Sequence, residues 1–346
     1  MTLTTAVTGE RSAEDVLAWS RSLIEPALRR AVDTLPPLMR RGAGYHLGWW
    51  DQDGGAIRAN PGKSIRPALV LLSALTVGGT AEAAVPAAVA VELVHNFSLV
   101  HDDVMDRDPV RRHRPTAWTV FGTSDAILFG DAMLALASRV LADGGGATAS
   151  IAVGWLNDSV LALCDGQSAD LAFEQRTSVR LDECLAMVAG KTGALLGGSC
   201  ALGALAGGAD EARVSALRRF GDHIGLAFQL VDDLLGIWGA PEVTGKSAGN
   251  DLRNRKKSLP VAAALAADTA QSRELAAYYA RPEPIEAHEL DHMRHLVEAA
   301  GGRRWTQREA GRQVASAVEC LESAACEPEA ARQLLDLANL ITRRRH

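Results

Sequence analysis

The chain has 346 residues, 47% hydrophobic and 23% charged, with a formal net charge of −6. That balance describes a folded globular chain with a sizeable core and excludes a disordered one. No basic block marks it for nucleic acid, so any bound polyanion must be small.

Met1 to Arg11 is a polar, Thr-rich tail without the basic-then-apolar order of a secretion signal. The tail is expected to span residues 1–12 and one domain residues 13–346. Ser12, with Asp15 three residues on, has the form of a capping box. Val16, Leu17, Trp19, Leu23, Leu28 and Val32 then recur at helical spacing until Pro36-Pro37 breaks the pattern. A shorter helix is predicted over Leu38 to Trp49, followed by a Gly-rich loop at Asp51 to Gly55. Gly62-Lys63-Ser64-Ile65-Arg66-Pro67 precedes a helix at Ala68 to Leu75. Two cations beside the free N–H groups of a helix start suit phosphate, although solvated charges on a capped loop would read alike.

After the turn Gly78-Gly79-Thr80, a long helix starts between Ala81 and Val85, with Pro86 in its first turn, and runs to about Asp108. From Ala87 to Val94 its only charge is Glu92; then come His95, Asp102, Asp103 and Asp106. Asp102 and Asp106 share a face, and His95 lies two turns back on nearly the same stripe. Such carboxylates repel one another unless a cation sits between them, and Mg²⁺ suits oxygen ligands while leaving positions for phosphate oxygens. No uninterrupted apolar run approaches the roughly 18 residues of a membrane span; Ala83 to Val91 comes closest. Pro109 ends the helix, and Arg111, Arg112 and Arg114 fall in the loop before a helix starting near Thr116 or Ser124.

Two long helices follow, at about Thr148 to Glu174, with Gly166-Gln167-Ser168-Ala169-Asp170, and Arg180 to Leu205, with Lys191-Thr192 opening a small-residue run. A further helix over about Asp210 to Trp238 carries Phe228-Gln229 and Asp232-Asp233-Leu234-Leu235-Gly236. It repeats the earlier design of an apolar helix tipped with aspartates. Lys246, Asp251 and Lys256 lie in the segment after it; more helices follow, broken near Pro282, Pro284, Gly301-Gly302 and Pro328, and the chain closes on Arg343-Arg344-Arg345. The five cysteines, Cys164, Cys184, Cys200, Cys320 and Cys326, form no Cys-x-x-Cys pair, which predicts free, buried thiols in a reduced cytoplasmic protein. No stretch alternates with period two over several strands. The expected fold is all-α: a single-domain helical bundle with its site in a central cavity between facing helices.

Two Asp-tipped helices facing each other would hold divalent cations. The surrounding Lys63, Arg66, Arg111, Arg112, Lys191, Lys246 and Lys256 carry more positive charge than one phosphate group needs. Two diphosphates, one bound through metal and one by Arg and Lys, account for it. The Val, Leu, Ala and Phe walls suggest hydrocarbon substrate bodies.

The chain resembles the trans-isoprenyl diphosphate synthases of the polyprenyl synthetase family, from about Glu14 onward, and among them the geranylgeranyl diphosphate synthases. The matching motifs are Gly62-Lys63-x-x-Arg66-Pro67, His95, Asp102-Asp103-x-x-Asp106, Arg111-Arg112, Gly166-Gln167-x-x-Asp170, Lys191-Thr192, Phe228-Gln229 with Asp232-Asp233, and Lys246 with Asp251. The resemblance implies the isoprenoid synthase fold, a homodimer, and condensation of isopentenyl diphosphate with an allylic diphosphate. It implies three Mg²⁺ ions held by Asp102, Asp106 and Asp232, with Arg111, Lys191 and Lys246 gripping the allylic diphosphate. Lys63, Arg66, His95 and Arg112 would bind isopentenyl diphosphate, and Thr192 and Gln229 would line the carbocation. Asp103, Gln167, Asp170, Asp233 and Asp251 would orient these groups. The Arg343 to Arg345 tail would serve either as a lid or as a frayed basic end.

The chain departs from the family at two places. Gly236 stands where the second motif usually ends in Asp. Arg255 stands where Gly usually precedes the lysine, which leaves the substrate-binding role of Lys256 open. Phe97 and Ser98, five and four residues before Asp102, resemble the pattern of synthases making geranylgeranyl diphosphate. The alternatives are farnesyl or longer products, Phe97 as a packing residue, and a terpene cyclase on the same fold, which would not need the isopentenyl diphosphate set.

Overall fold

The computed structural model describes residues 11–57, 59, 62, 64–144, 146–239, 249–324 and 327–342. Lys63, Lys246, Cys326 and Arg343 to Arg345 lie outside the described residues.

Helix α1 (Ala13–Asp33) starts on the expected cap: the Asp15 N–H donates to Ser12 Oγ at 3.1 Å, and Ser12 N–H to Asp15 Oδ2 at 3.2 Å. Helix α2 (Pro37–His46) stops short of Trp49 because Gly48 takes φ +79° and turns the chain away. Helix α3 (Ile65–Thr76) begins three residues earlier than expected, so Arg66 stands in its first turn. Helix α4 (Ala81–Met105) is buried on nearly every side from Ala84 to Val100, the mark of a core helix. It packs on α3 and on α6 (Thr123–Asp143), which follows the short α5 (Ala117–Phe121).

Helices α7 (Ala149–Gln175), α8 (Leu181–Val188) and α9 (Ala194–Ala206) build the next wall, with a π-helical turn at Ala189–Gly193 joining the last two. The small residues of α9 allow close packing as expected: a Cβ on Gly203 would lie 2.1 Å from the Val70 carbonyl of α3. Helix α10 (Glu211–Trp238) packs against α9. The rest comprises α11 (Asn250–Arg253), α12 (Leu259–Leu265), α13 (Ala270–Ala280), α14 (Leu290–Ala299), α15 (Gly302–Ala324) and α16 (Pro328–Thr342); α15 lies along α10.

The continuous helical stretches Ala81–Met105 and Leu181–Ala206 have the length and composition of membrane spans, which the search for uninterrupted apolar runs missed. Most of each is buried within the bundle, as in core helices. Among the described residues the one sheet is a two-stranded hairpin, β1 (Val110–Arg111) and β2 (Arg114–Pro115), where a plain loop was expected. Arg112 and His113 form its turn, both with positive φ (52° and 62°), as a tight hairpin of this kind requires. Of the four described cysteines, Cys184 and Cys200 are buried and Cys164 is exposed; all four are free.

Candidate active site

One half of the site is built on the start of α3 and the middle of α4. Arg66 Nη1 lies 3.3 Å from His95 Nε2. One turn before Asn96, Glu92 is 4% exposed, and the Asn96 amide donates to its carbonyl at 2.8 Å and to its carboxylate at 3.2 Å. Burial lowers the Arg66 pKa to about 10, with Glu92 working against the drop. Burial raises that of Glu92, while the Asn96 hydrogen bond and the charges of Arg66, Arg112 and Arg21 oppose it. Burial, then Arg66 and Arg112, hold His95 well below the usual histidine value, so it is neutral. His46 at the end of α2 falls to about 3 for the same reason, with Arg112 and Arg111 as its nearest cations.

Arg112 reaches this half from the hairpin turn. A Cβ on Gly62 would lie 2.7 Å from Arg112 Nη2, so the Gly62 backbone rests on the guanidinium where no side chain could. The structure thus gathers Arg66, His95 and Arg112 as expected, with Lys63 next to Gly62 in the chain.

The other half lies at the end of α4. The helix stops at Met105 because Arg107 takes φ +54°, but Asp106 remains in helical register, its N–H donating to the Asp102 carbonyl at 2.8 Å. Asp103 points inward, and Arg111 Nε donates to its Oδ1 at 2.8 Å. Burial still pushes Asp103 up to about 6. Asp102 and Asp106 are also raised by burial; Lys191 pulls both down, and Asp170 pushes both up. Asp106 pushes up Asp102 as well.

Lys191 sits in the π turn, whose extra residue re-aims side chains out of the regular helical order. Its Nζ donates to Asp170 Oδ2 on α7 at 2.6 Å. Thr192 Oγ1 donates to Gln229 Oε1 on α10 at 3.1 Å, and Gln229 Nε2 donates to Asp233 Oδ1 at 2.8 Å. Asp233 Oδ2 accepts the Leu259 N–H at 2.8 Å. Asp233 is therefore a buried hub, and Asp232 beside it is exposed.

The two aspartate motifs meet across Lys256. Its side chain lines an open cleft of about 770 Å³ together with Asp106, Asp170, Lys191 and Asp251. Burial works to lower its pKa, but Asp233, Asp251, Asp170 and Asp232 outweigh burial and raise it. Asp106 feels the same ammonium. Arg255, where the family usually has Gly, adopts φ +49°, the conformation glycine takes easily. Its Nε donates to the Tyr278 carbonyl at 3.0 Å, and its Nη2 to the Glu283 carbonyl.

Among the described residues no three Asp, Glu, His or Cys side chains converge as a ready metal site. The donor set nonetheless fits divalent cations. Asp102, Asp106, Asp170, Asp232, Asp233 and Asp251 gather around two ammonium groups, an excess of hard oxygens beside an open cleft. Phe97 lies away from that cleft, 5% exposed, with its ring edge-on to His101 at 5.5 Å. Ser98 Oγ donates to the His95 carbonyl at 2.8 Å.

Residues 52–297 match the family model described as polyprenyl synthetase. The chain belongs to the polyprenyl synthetase family. It is a trans-prenyltransferase of the all-helical isoprenoid synthase fold. It is 48% identical over 332 residues to the (2E,6E)-farnesyl diphosphate synthase of Mycobacterium tuberculosis, covering 95% of this chain and 92% of that one. It is 46% identical over 330 residues to the geranylgeranyl diphosphate synthase of the same organism, covering 95% and 93%. The crystal structure of a polyprenyl synthetase from Streptomyces coelicolor A3(2) superposes with a TM-score of 0.90 at 47% identity, covering 94% of this chain and 98% of that chain. Relatives named for C15 and C20 products thus stand at nearly equal distance.

The motif reading passed over His46 and Asn96, the contact of Asp251 with α10, and the anchoring of Arg255. The one available signal was Glu92, a lone charge in an apolar helix.

Proposed function

We propose that this prenyltransferase joins isopentenyl diphosphate head-to-tail to dimethylallyl, geranyl or farnesyl diphosphate, in a Mg²⁺-dependent reaction whose product is geranylgeranyl diphosphate. The supporting observation is the division of the site's charge. Arg66, neutral His95 and Arg112 gather around one buried carboxylate, Glu92, whereas the second group mixes lysines with several aspartates beside an open cleft. An anion on the first is held by side chains alone; on the second it is held with metal.

Asp102, Asp106 and Asp232 would hold the Mg²⁺ ions, three in number, which neutralise the departing diphosphate. Lys191, Arg111, Lys246 and Lys256 add fixed positive charge to its oxygens, stabilising the separated charge more than the bound ester. The ion pair to Asp170 sets where the Lys191 ammonium stands, and the pair to Asp103 does so for Arg111. The chain from the Leu259 N–H through Asp233 and Gln229 to Thr192 places the Gln229 carbonyl oxygen and the Thr192 hydroxyl together. Their lone pairs favour the allylic cation. Arg66, His95, Arg112 and Lys63 hold isopentenyl diphosphate so that its double bond attacks that cation. The released diphosphate takes the proton.

The Phe97-Ser98 pair supports the C20 product, with Phe97 closing the path of the growing chain. Exposed Ile127 and Leu128 on α6, 41% and 49% accessible, support a homodimer. Free thiols support a cytoplasmic location. Incubation with isopentenyl diphosphate and each allylic starter, with product length read by chromatography, tests the proposal. A ring-closed product formed without isopentenyl diphosphate would overturn it.

A further inference from the structure

Arg114 shares the hairpin with Arg111 and Arg112, yet the reading above gives it no diphosphate to bind. It stands directly opposite Arg111 in the β1–β2 pair, where like charges repel across the strands. The turn between them places Arg112 and His113 at positive φ, a conformation that neither residue type prefers. The hairpin therefore needs holding from outside, and it is held from two sides. On one side Arg111 Nε donates to Asp103 Oδ1 on α4 at 2.8 Å. On the other side the end of α2 grips Arg114. Nη1 donates to the Tyr45 carbonyl at 3.0 Å and Nη2 to the Trp50 carbonyl at 3.1 Å, while the guanidinium carbon lies 4.4 Å from the centre of the Tyr45 ring. The hydroxyl of buried Tyr45 donates in turn to the Pro115 carbonyl at 2.8 Å. Trp50 is itself fixed to α2: its Nε1 donates to the Arg41 carbonyl at 2.8 Å, and its ring lies on Gly44, where a Cβ would come within 1.9 Å of it. Tyr45, His46, Arg111, Arg112 and Arg114 line one small cavity between α2 and the hairpin.

We propose that Tyr45 and Arg114 are positioning residues for the second substrate: they strap the hairpin to α2, and the strap sets where Arg112 presents its guanidinium to isopentenyl diphosphate. Arg112 lies two residues before Arg114, across the strained turn, so a shift of β2 moves it directly. Its guanidinium must also meet the Gly62 backbone, which leaves little slack. Arg111 differs, because its bond to Asp103 survives when α2 lets go. The end of α2, which carries no diphosphate ligand of its own, thereby becomes part of the second-substrate site. The inference rests on the reading above that Arg112 binds isopentenyl diphosphate.

The test measures initial rates of the full chain in Mg²⁺ with isopentenyl and geranyl diphosphates, each varied while the other saturates; the melting temperature reports folding. Arg114→Ala should raise KM for isopentenyl diphosphate about tenfold, the scale of one misplaced charged hydrogen bond. KM for geranyl diphosphate should move by less than about threefold and kcat by less than about twofold. Tyr45→Phe keeps the ring and loses one neutral hydrogen bond, so its effect should run the same way at about threefold. Both effects should vanish in an Arg112→Gln background, because the two residues act through Arg112. A merely structural role would lower the melting temperature and the active fraction without changing the ratio of the two KM values. An unchanged KM for isopentenyl diphosphate in Arg114→Ala, an equal rise for both substrates, or a rise undiminished in the Arg112→Gln background overturns the inference. If Arg114→Ala fails to fold, Tyr45→Phe and its double variant with Arg112→Gln decide alone. A wild-type protein that converts geranyl diphosphate without consuming isopentenyl diphosphate overturns the functional reading; the Arg114 outcomes, read on an enzyme that condenses the two, overturn this inference alone.

Discussion

Arg255 carries a conflict that can be measured. A non-glycine residue in the left-handed region costs roughly 1–2 kcal/mol. Its guanidinium offsets this by donating to the carbonyls of Tyr278 and Glu283, both distant in the chain. Hydrogen bonds from charged donors contribute about 1.5–3 kcal/mol each when shielded, and less at a half-buried site such as this. Arg255→Ala keeps the strain and loses both bonds, so urea unfolding should show a loss of about 2 kcal/mol. Arg255→Gly loses the same bonds but sheds the strain. After deducting the greater freedom of glycine in the unfolded chain, it should be about 1 kcal/mol more stable than the Ala variant. Because Lys256 is the next residue, the Ala variant should also raise KM for the allylic diphosphate, and the Gly variant should recover most of the loss. Equal stability in the two variants would refute the strain argument. An unchanged KM in the Ala variant would refute the claim that Arg255 positions Lys256.

Asp102→Ala should abolish turnover in Mg²⁺ without unfolding the chain, because its carboxylate stands among Lys191, Asp106 and Asp170 rather than in the apolar core; near-wild-type turnover would remove Asp102 from the proposed metal set. Phe97→Ala should lengthen the product by at least one isoprene unit, read by chromatography. A stability loss of about 3–5 kcal/mol with the same product would instead mark Phe97 as packing alone. His46, held near 3 against its usual 6.5, stays neutral in the folded protein while the unfolded chain takes up a proton. Stability should therefore fall as pH drops below about 6.5, with His46 contributing at most about 1.4 kcal/mol per pH unit. His46→Asn should flatten that slope in urea unfolding at pH 7 and 5.5; an unchanged slope would place the loss elsewhere. If the chain forms the proposed dimer, Leu128→Glu on α6 should convert it to a monomer in sedimentation; an unchanged assembly would clear this face of the role.

The helical bundle was legible because its signals are local. Ser12 with Asp15 marked the start of α1 and Pro36-Pro37 the break before α2, whereas Pro109 placed the end of the aspartate helix three residues late, because Arg107 turns the chain first. What was not legible depends on backbone states that no residue type there announces. The hairpin turn uses Arg112-His113 in place of the Asn-Gly that usually signals two positive φ values. The π turn around Lys191 looks, in sequence, like an unbroken helix from Arg180 to Leu205. Both irregularities aim site residues: the hairpin sends Arg112 toward Gly62, and the π turn sends Lys191 toward Asp170.

The polar site residues stood out because they sit on apolar helices, where a charge needs a reason. The same logic identifies what was missed. Glu92 lies deep in α4 among Arg66, Arg112 and Arg21, and its charge holds those guanidiniums in the folded state before any diphosphate arrives. A basic group assembled without such a counter-charge would repel itself apart. On the proposed reading, a diphosphate arriving at Arg66 would compete with the Glu92 charge that already acts on it. Asp170 stands in the same relation to Lys191, and Asp103 to Arg111. In each half of the site the cations already stand beside carboxylates, and on the proposed reading the ligand would replace part of that charge balance.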